Sequence, residues 1–531
     1  MDSLYGVSIL AVILLVLAAA IWLAGLLLAL VLPLVLSLSR SFVQAARDNQ
    51  DMRRITARHP RFWRFVSARL HPHHFDVLPL TILAASFGYL LSLFLGLVFD
   101  VLTKGLIVEA DIRLSNLFHA LREAELVTFF TAVSATGKWP FVIVLAIGIS
   151  LGLLARGRRA SLFGLWLTLA GNQITVTLLK NLFARPRPDH AVYLETSFSF
   201  PSGHAAVSVA FYGFIAFILF RERILRLPML LLFGLGSAGL IGASRLYLGE
   251  HYLSDVLNGY LVGAMWLALG VGLTEWWSAS APPGPENRTG HLGRPLILLA
   301  LAEAMVLAAF VAWHPTSLTE AAAPPAPRLV EDIEPVLKAP DFTVYSETLT
   351  GTRQEPISLV IISKDANSLR AAFEAAGWLQ TQKPGFLSLA RAGFAAWFNR
   401  TDPRAPVTPS FWQQQPNEFG FQKSGDDQGL RTRHHARFWR AGLVLPSGQA
   451  VFVGTASFDD GLKWGITHRI APDIDRERDF LVSNLTDSRR VATLARIRMV
   501  RPEMGHNFTG DAFFTDGQAV IVTLGPGAAE N

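Results

Sequence analysis

Long apolar runs recur through the first 313 residues, and no other feature constrains this chain as strongly. A helix crosses a bilayer when about 20 consecutive residues are mostly apolar, because backbone polar groups in lipid must be satisfied within the segment. Such runs extend from about Val7 to Leu36 and from Leu78 to Leu102. Others cover Pro140–Leu154, Ser161–Leu179, His204–Phe220, Leu227–Ala243, Leu253–Leu273 and Pro295–Trp313. They predict an all-α transmembrane helical bundle of about eight spans. The first run is too long, and too uncharged at its start, for a typical cleaved signal peptide, and reads as an anchor helix.

Arginine placement sets the expected orientation, since short cytoplasmic loops collect Lys and Arg. Arg40, Arg47, Arg53, Arg54, Arg58, Arg61, Arg64 and Arg69 follow the first run. Loops of the same parity hold Arg156, Arg158 and Arg159, then Arg221, Arg223 and Arg226, then Arg288 and Arg294. These loops are assigned to the cytoplasm; the alternate loops and both termini are assigned to the outside. The net charge of +6 is thereby explained by topology, so nucleic acid is not expected as a partner. Cysteine is absent, which excludes disulfides and thiolate metal sites. The stretch from about Val108 to Trp139 is amphipathic. It reads either as short helices at the outer membrane surface or as a plain outer loop with some helix.

Three polar clusters lie on the outward loops or the helix ends beside them. The first runs from Lys180 to Pro188, with Arg187 seven residues after Lys180 and prolines on both sides of it. A point charge and a planar fork suit one phosphoryl group; alone, the cluster is also consistent with a basic patch at the interface. In the second, Pro201-Ser202-Gly203-His204, the start of an apolar run offers backbone N–H groups to an anion. There Ser202 caps the helix or donates to phosphate, Gly203 permits close approach, and His204 is placed for proton transfer. The bland alternative is an N-cap beside an interfacial histidine. The third holds Ser244, Arg245, His251 and Asp255. His251 and Asp255 are four apart, so they share a helical face, as a carboxylate-supported nucleophile requires. A structural His–Asp pair at a span end is the alternative. Span packing alone requires no such combination on one side of a membrane.

In order, these residues resemble the signatures of the type 2 phosphatidic acid phosphatase superfamily, which also includes the vanadium haloperoxidases. The pattern is Lys-x6-Arg-Pro, Pro-Ser-Gly-His and Ser-Arg-x5-His-x3-Asp, and each specified position is present. The resemblance implies a six-helix phosphatase core and a membrane lipid phosphatase. By that resemblance His251 attacks phosphorus and becomes a phosphohistidine, Asp255 orients it, and His204 serves as general acid and then base. Lys180, Arg187, Arg245, Ser202 and Gly203 would hold the phosphate oxygens. Neither metal nor other cofactor is implied. The expected partners are the lipid bilayer and a lipid phosphate exposed on the periplasmic side of a bacterial inner membrane. Undecaprenyl diphosphate is favoured over phosphatidylglycerol phosphate, phosphatidic acid or a lipid A phosphate. The alternatives are a vanadate-dependent haloperoxidase, whose relatives are typically soluble, and a non-enzymatic lipid-binding or carrier protein.

The predicted organisation is an anchor helix with a basic cytoplasmic segment (1–76), a core (77–275), a loop and further span carrying Glu303 (276–313), a Pro/Ala-rich linker (314–340) and a soluble α+β domain (341–531). Glu303 reads as a functional intramembrane carboxyl or as a protonated, packed one. The tail resembles the LssY-type C-terminal domain through Phe421-Gln422-Lys423, the Arg433–Trp439 run and the Thr467–Asp475 run. His434, His435, His468, Asp473 and Asp475 suggest a metal or anion site, or a hydrogen-bonded network with Arg437. Adjacent histidines on a strand point to opposite faces, which opposes joint ligation of one ion. No protein partner of this domain is indicated.

Overall fold

The computed structural model describes residues 2–69, 78–193, 195–280, 326–425, 430–463, 467–507 and 509–525. The expected span at 295–313 with Glu303, the arginines at 288 and 294, and linker residues 314–325 lie outside these. The chain divides into two compact units, one of Ala11–Gly105 and Arg122–Glu320, the other of Met1–Leu10, Leu106–Leu121 and Ala321–Asn531.

In the helical unit, α1 (Asp2–Asp48), α2 (Gln50–Arg58) and α3 (Pro60–Arg69) precede α4 (Leu78–Leu102). Among the described residues six helices are long and apolar enough to cross a membrane. They are Leu17–Val35, Pro79–Leu102, Arg159–Phe183, Gly203–Arg221, Leu227–Tyr247 and Leu253–Ser280. A seventh arises where a short helix and its successor, bent by 45° at a break, are taken together. These are α6 (Ala124–Ala135) and α7 (Trp139–Ala155), counting the intervening α5 (Leu106–Ala120). The Pro140–Leu154 run thus forms the second helix of this bent pair. Within the amphipathic stretch from about Val108 to Trp139, α6 is a short helix that packs one face on the bundle, with Phe130, Ser134 and Ala135 buried and the Phe130 ring meeting Tyr247 at 4.8 Å.

Small residues let the remaining helices close on one another. These are α8 (Arg159–Phe183), α9 (Gly203–Val207), α10 (Gly213–Arg221), α11 (Leu227–Tyr247) and α12 (Leu253–Ser280), with one π turn, Ser208–Tyr212, joining α9 to α10. On α12, Gly259 and Gly263 form a small-xxx-small stripe against α9. A Cβ at Gly259 would come within 2.5 Å of the Ser202 carbonyl oxygen, and one at Gly263 nearer still to that of Ala206. Beneath them Leu165, Leu169, Val207, Phe211 and Phe214 form a solvent-free core. At one end of the bundle Arg158 pairs with Glu222 at 2.9 Å and Arg221 with Glu275 at 3.1 Å. Lys180 and Arg245 sit near the opposite ends of α8 and α11, tens of ångströms away at about 1.5 Å per residue.

The other unit is built on a mixed sheet. Seven of the sheet's nine described strands form a continuous path, β1 (Leu359–Ser363), β2 (Leu379–Gln380), β3 (Phe419–Ser424), β4 (Thr432–Val444), β5 (Ala450–Lys463), β6 (Val491–Arg498) and β7 (Gln518–Leu524), in the order β6-β7-β1-β5-β4-β3-β2. Along this path the contacts are antiparallel apart from β7 with β1, and off it Arg328–Leu329 adds a short parallel pairing to β4. The Leu-Val-Ile-Ile run of β1 is apolar throughout because both faces are covered. Leu359 and Ile361 join Phe373, Trp378, Phe421, Phe438 and Leu481 on one face. Val360 and Ile362 join Trp412, Trp439, Val451 and Val453 on the other. The α+β expectation therefore holds for this strand-rich domain. Helix α5 groups with it, where the sequence reading assigned 106–120 to the membrane core. Its Arg113 is buried and bonded to Glu347 at 2.6 Å and Glu109 at 2.7 Å.

Alternation along β4 sends His434 and His435 to opposite faces. His434 Nδ1 meets Glu477 at 2.9 Å and its ring stacks on Phe480, whereas His435 faces Asp459. Asp473 caps a helix by accepting from Arg476 N, and Asp475 accepts from Thr515 Oγ1. These residues serve separate local networks, and no group of three or more potential ligands that could hold a metal occurs among the described residues.

Phe373 has no exposed surface and stacks on Phe421 with centroids 4.1 Å apart. Phe373→Ala should destabilise this domain by about 3–5 kcal/mol, the usual cost of emptying an aromatic core site. Denaturant unfolding of the full chain, followed by tryptophan fluorescence, measures it; a loss under about 1 kcal/mol contradicts the packing described.

Candidate active site

Helix α8 ends where Ala184 adopts a left-handed conformation and Pro186 prevents continuation. The chain then crosses the mouth of the bundle. Lys180, on the last turn of α8, donates from Nζ to Ser197 Oγ at 3.2 Å and to the Phe198 carbonyl. Arg187 donates from Nε to the Ser197 carbonyl at 2.8 Å and from Nη1 to the Glu250 carbonyl at 2.7 Å. Its Nη1 also lies 3.4 Å from His251 Nε2.

The Pro-Ser-Gly-His cluster opens α9. Ser202 is the N-cap, its hydroxyl accepting from Ala205 N at 3.4 Å, so of its two expected roles the capping one is seen. A Cβ on Gly203 would meet only Val176, at 3.5 Å, so its freedom to one side is open cavity rather than crowding. The His204 residue is half-buried, and its Nε2, which is out of contact with solvent, has no hydrogen-bond partner among the described residues. Such an orphaned nitrogen costs free energy unless something else engages it.

Between α11 and α12 the chain turns through Gly249, whose φ of +65° is left-handed. That turn presents Glu250 and His251. Arg245 is fully buried; it donates to Ser134 Oγ at 2.6 Å and lies 3.6 Å from Glu250 and 3.8 Å from Glu195. His251 Nδ1 faces Asp255 Oδ2 at 3.6 Å and Ser199 Oγ at 3.4 Å. Its two nitrogens therefore face different partners, a carboxylate on one side and a guanidinium on the other. Burial, followed by the charges of Arg187, Arg245 and Lys180, holds this imidazole well below its usual range.

Lys180, Arg187, Gly203, His204 and His251 line one cavity of about 550 Å3. Asp255, Ser202 and Arg245 sit behind its wall with no exposed surface. Sequence reasoning missed several residues that complete this arrangement. Arg185 donates from Nη1 to Asp255 Oδ1 and Ser254 Oγ, both at 2.7 Å, and lies over the Tyr252 ring. Ser199 donates to Asp255 Oδ2. Glu250, fully buried, accepts from Tyr193 N at 2.8 Å and sets a carboxylate between Arg187 and Arg245. Lys138 and Glu195 also line the cavity. The one available signal was proximity: Arg185 lies inside the first cluster and Glu250 beside His251.

Comparison with known proteins agrees with this geometry. Residues 161–278 match the PAP2 superfamily and residues 338–519 match the LssY C-terminus. Phosphatidylglycerophosphatase B of Bacillus subtilis is 30% identical over 176 residues, which are 32% of this chain and 84% of that protein. Lipid A 4'-phosphatase of Porphyromonas gingivalis is 25% identical over 194 residues, 34% of this chain and 81% of that protein. The crystal structure of the first transmembrane PAP2 type phosphatidylglycerolphosphate phosphatase from Bacillus subtilis is 26% identical, covering 38% of this chain and 98% of that one, with a TM-score of 0.34. With all three signatures converging on one cavity and a relative matched over most of its length, the chain belongs to the PAP2 superfamily and joins that core to an LssY C-terminal domain.

Proposed function

We propose that the chain hydrolyses a lipid phosphate through a phosphohistidine on His251. The observation that carries this reading is the divided environment of that ring: Nδ1 toward Asp255, Nε2 toward Arg187, in a cavity shared with the unpartnered Nε2 of His204. With Nδ1–H directed at the carboxylate, Nε2 carries the free lone pair. It attacks the terminal phosphorus; the bond from that phosphorus to the leaving oxygen breaks (the bridging oxygen of a lipid diphosphate, or the lipid oxygen of a monophosphate), and His204 gives that oxygen a proton. Water then attacks the phosphohistidine, surrendering a proton to His204 as the P–N bond breaks. Lys180, Arg187 and Arg245, with Ser202 and the Gly203 amide, stabilise the equatorial oxygens. Phosphoryl transfer depends chiefly on such positioning and charge. Three cations supply the charge a metal would otherwise provide, so the proposed reaction proceeds without divalent metal.

The site is proposed to face the periplasm of a bacterial inner membrane. Its residues sit at the helix ends opposite the loops of Arg158, Arg221 and Arg226, the ends that the positive-inside rule assigns to the cytoplasm. Undecaprenyl diphosphate is our first substrate, on the strength of that outward placement. Relatives named for phosphatidylglycerophosphate and lipid A make those lipids the direct comparators.

His251→Gln should reduce phosphate release from purified protein roughly 1,000-fold or more, with or without EDTA, as for other covalent nucleophiles. A variant retaining a tenth of the activity rules out the covalent role. Because the nucleophile must be unprotonated, activity is lost as pH falls through its pKa, which lies below the ordinary 6.5. The acidic limb of kcat/KM should therefore lie below pH 6.5, read from a pH–rate profile; a limb at or above that value contradicts it. The chain lacks cysteine, so Thr196→Cys introduces a single thiol into the cavity wall. In intact cells a membrane-impermeant maleimide should label it; labelling only after lysis reverses the orientation.

A further inference from the structure

The C-terminal domain holds a cavity, lined by both apolar surface and charged groups, that the phosphatase chemistry does not use. It encloses about 760 Å3, within the range of small-molecule sites, and its lining includes Arg437, His435, Glu355 and Thr350. His435 projects from β4 with about 2% of its surface exposed, and neither ring nitrogen has a hydrogen bond among the described residues. Its Nδ1 is 3.5 Å from Asp459. Arg437, two residues along the same face, donates only from Nε, to the Thr408 carbonyl at 3.0 Å. Its two Nη nitrogens make no hydrogen bond or ion pair among the described residues.

The neighbouring carboxylates of Glu355 and Asp459 attract that guanidinium through space but leave its Nη hydrogens without an acceptor among the described residues. Asp459 is already bonded by Arg433 Nε at 2.9 Å, and Gln422 accepts from Arg433 Nη1 at 2.8 Å. Glu355 accepts from Ser457 Oγ at 2.9 Å, and burial pushes its carboxyl above the usual range, toward the neutral form. His435 is pushed down to about 4 by burial, so at neutral pH its ring is uncharged and offers one donor and one acceptor. At the rim the hydroxyls of Thr348 and Thr350 lie 3.0 Å apart, and those of Thr350 and Thr352 3.4 Å apart. A planar fork, an imidazole and several hydroxyls thus approach one space from different directions. That suits a tetrahedral oxyanion with several acceptor oxygens better than a planar one.

We propose that this cavity is a second anion site, binding the phosphoryl group of a small polar molecule or lipid head group on the Arg437 fork and His435 ring, with threonine hydroxyls on the remaining oxygens. It shares no residue with the cavity around His251, so it stands or falls independently of the hydrolase reading.

Isothermal titration of the detergent-solubilised full chain with inorganic phosphate, and separately with glycerol 1-phosphate, tests it. An Arg187→Gln background weakens the membrane-core cavity, and the part of the remaining binding that responds to Arg437 reports on the second site. Adding Arg437→Gln should weaken that binding roughly 10- to 100-fold, the loss expected for charge-assisted hydrogen bonds, while Arg437→Lys, with charge but no fork, falls between. Binding of inorganic phosphate identifies free phosphate as a sufficient ligand; binding of glycerol 1-phosphate alone identifies a head group. If neither probe binds the Arg187→Gln protein, or if binding is unchanged by Arg437→Gln, the proposal is overturned. Should Arg437→Gln unfold the domain, Thr350→Val at the rim replaces it, with a several-fold weakening expected and no change counting against the site.

Discussion

The buried carboxylate of Asp255 is the hub from which the rest of the site is arranged. It accepts from Arg185, from Ser199 and from the Tyr252 amide, and it faces His251. The carbonyl of the same residue accepts from Ser202 N at 2.9 Å. One residue therefore ties together the loop after α8, the approach to α9 and the start of α12, the three places where the sequence clusters lie. A charge taken out of water must be paired and hydrogen-bonded, and removing one partner strands the other. The arrangement is consequently cooperative: the helix ends cannot separate without exposing or orphaning that carboxylate.

Such convergence needs helices that approach closely, and lipid gives no hydrophobic drive for apolar side chains to leave it. Close backbone packing replaces that drive. The Gly259–Gly263 stripe brings α12 against the first turn of α9, which fixes where His204 starts relative to His251. Thr168 on α8 donates to the Trp266 carbonyl of α12 at 3.3 Å, a polar tie between the helices that carry Lys180 and Asp255. Packing deep in the bundle and chemistry at its mouth are two ends of the same constraint.

How much of this was legible follows from the range of each interaction. Spans such as Leu78–Leu102 and the one read at Leu227–Ala243, which extends to Tyr247, were legible because hydropathy over about 20 residues is a local property. The bent α6–α7 pair was legible only in its second helix, at Pro140–Leu154, because a break divides it and α6 is tied to the bundle by long-range contacts, Phe130 with Tyr247 and Ser134 with Arg245. Lys180, Arg187, His204 and His251 were found through fixed spacings. Arg185 and Ser199 act on Asp255, tens of residues away, and Glu250 joins the nearby Arg245 to the distant Arg187; beyond their place beside the clusters, local pattern holds no trace of such pairings. In the tail, strand alternation correctly separated His434 from His435. It could not show that Arg437 shares a wall with His435 and Glu355, since Glu355 comes from a segment about eighty residues earlier.

Glu250 illustrates how the proposed phosphate site exists before any substrate arrives. Clustering Arg187 and Arg245 in a low-dielectric wall is unfavourable by mutual repulsion and by desolvation. The Glu250 carboxylate, 3.3 Å from one and 3.6 Å from the other, offsets both costs and fixes the guanidinium planes. The offset is partial: Nε and Nη2 of Arg245 are buried without hydrogen bonds among the described residues. Donors held in place but not satisfied are what preorganised stabilisation of a developing oxyanion requires, because no reorganisation is then needed as charge develops. A carboxylate that satisfied every donor would make the protein more stable and the site inert. Leaving Arg245 incompletely paired sets the balance between those outcomes.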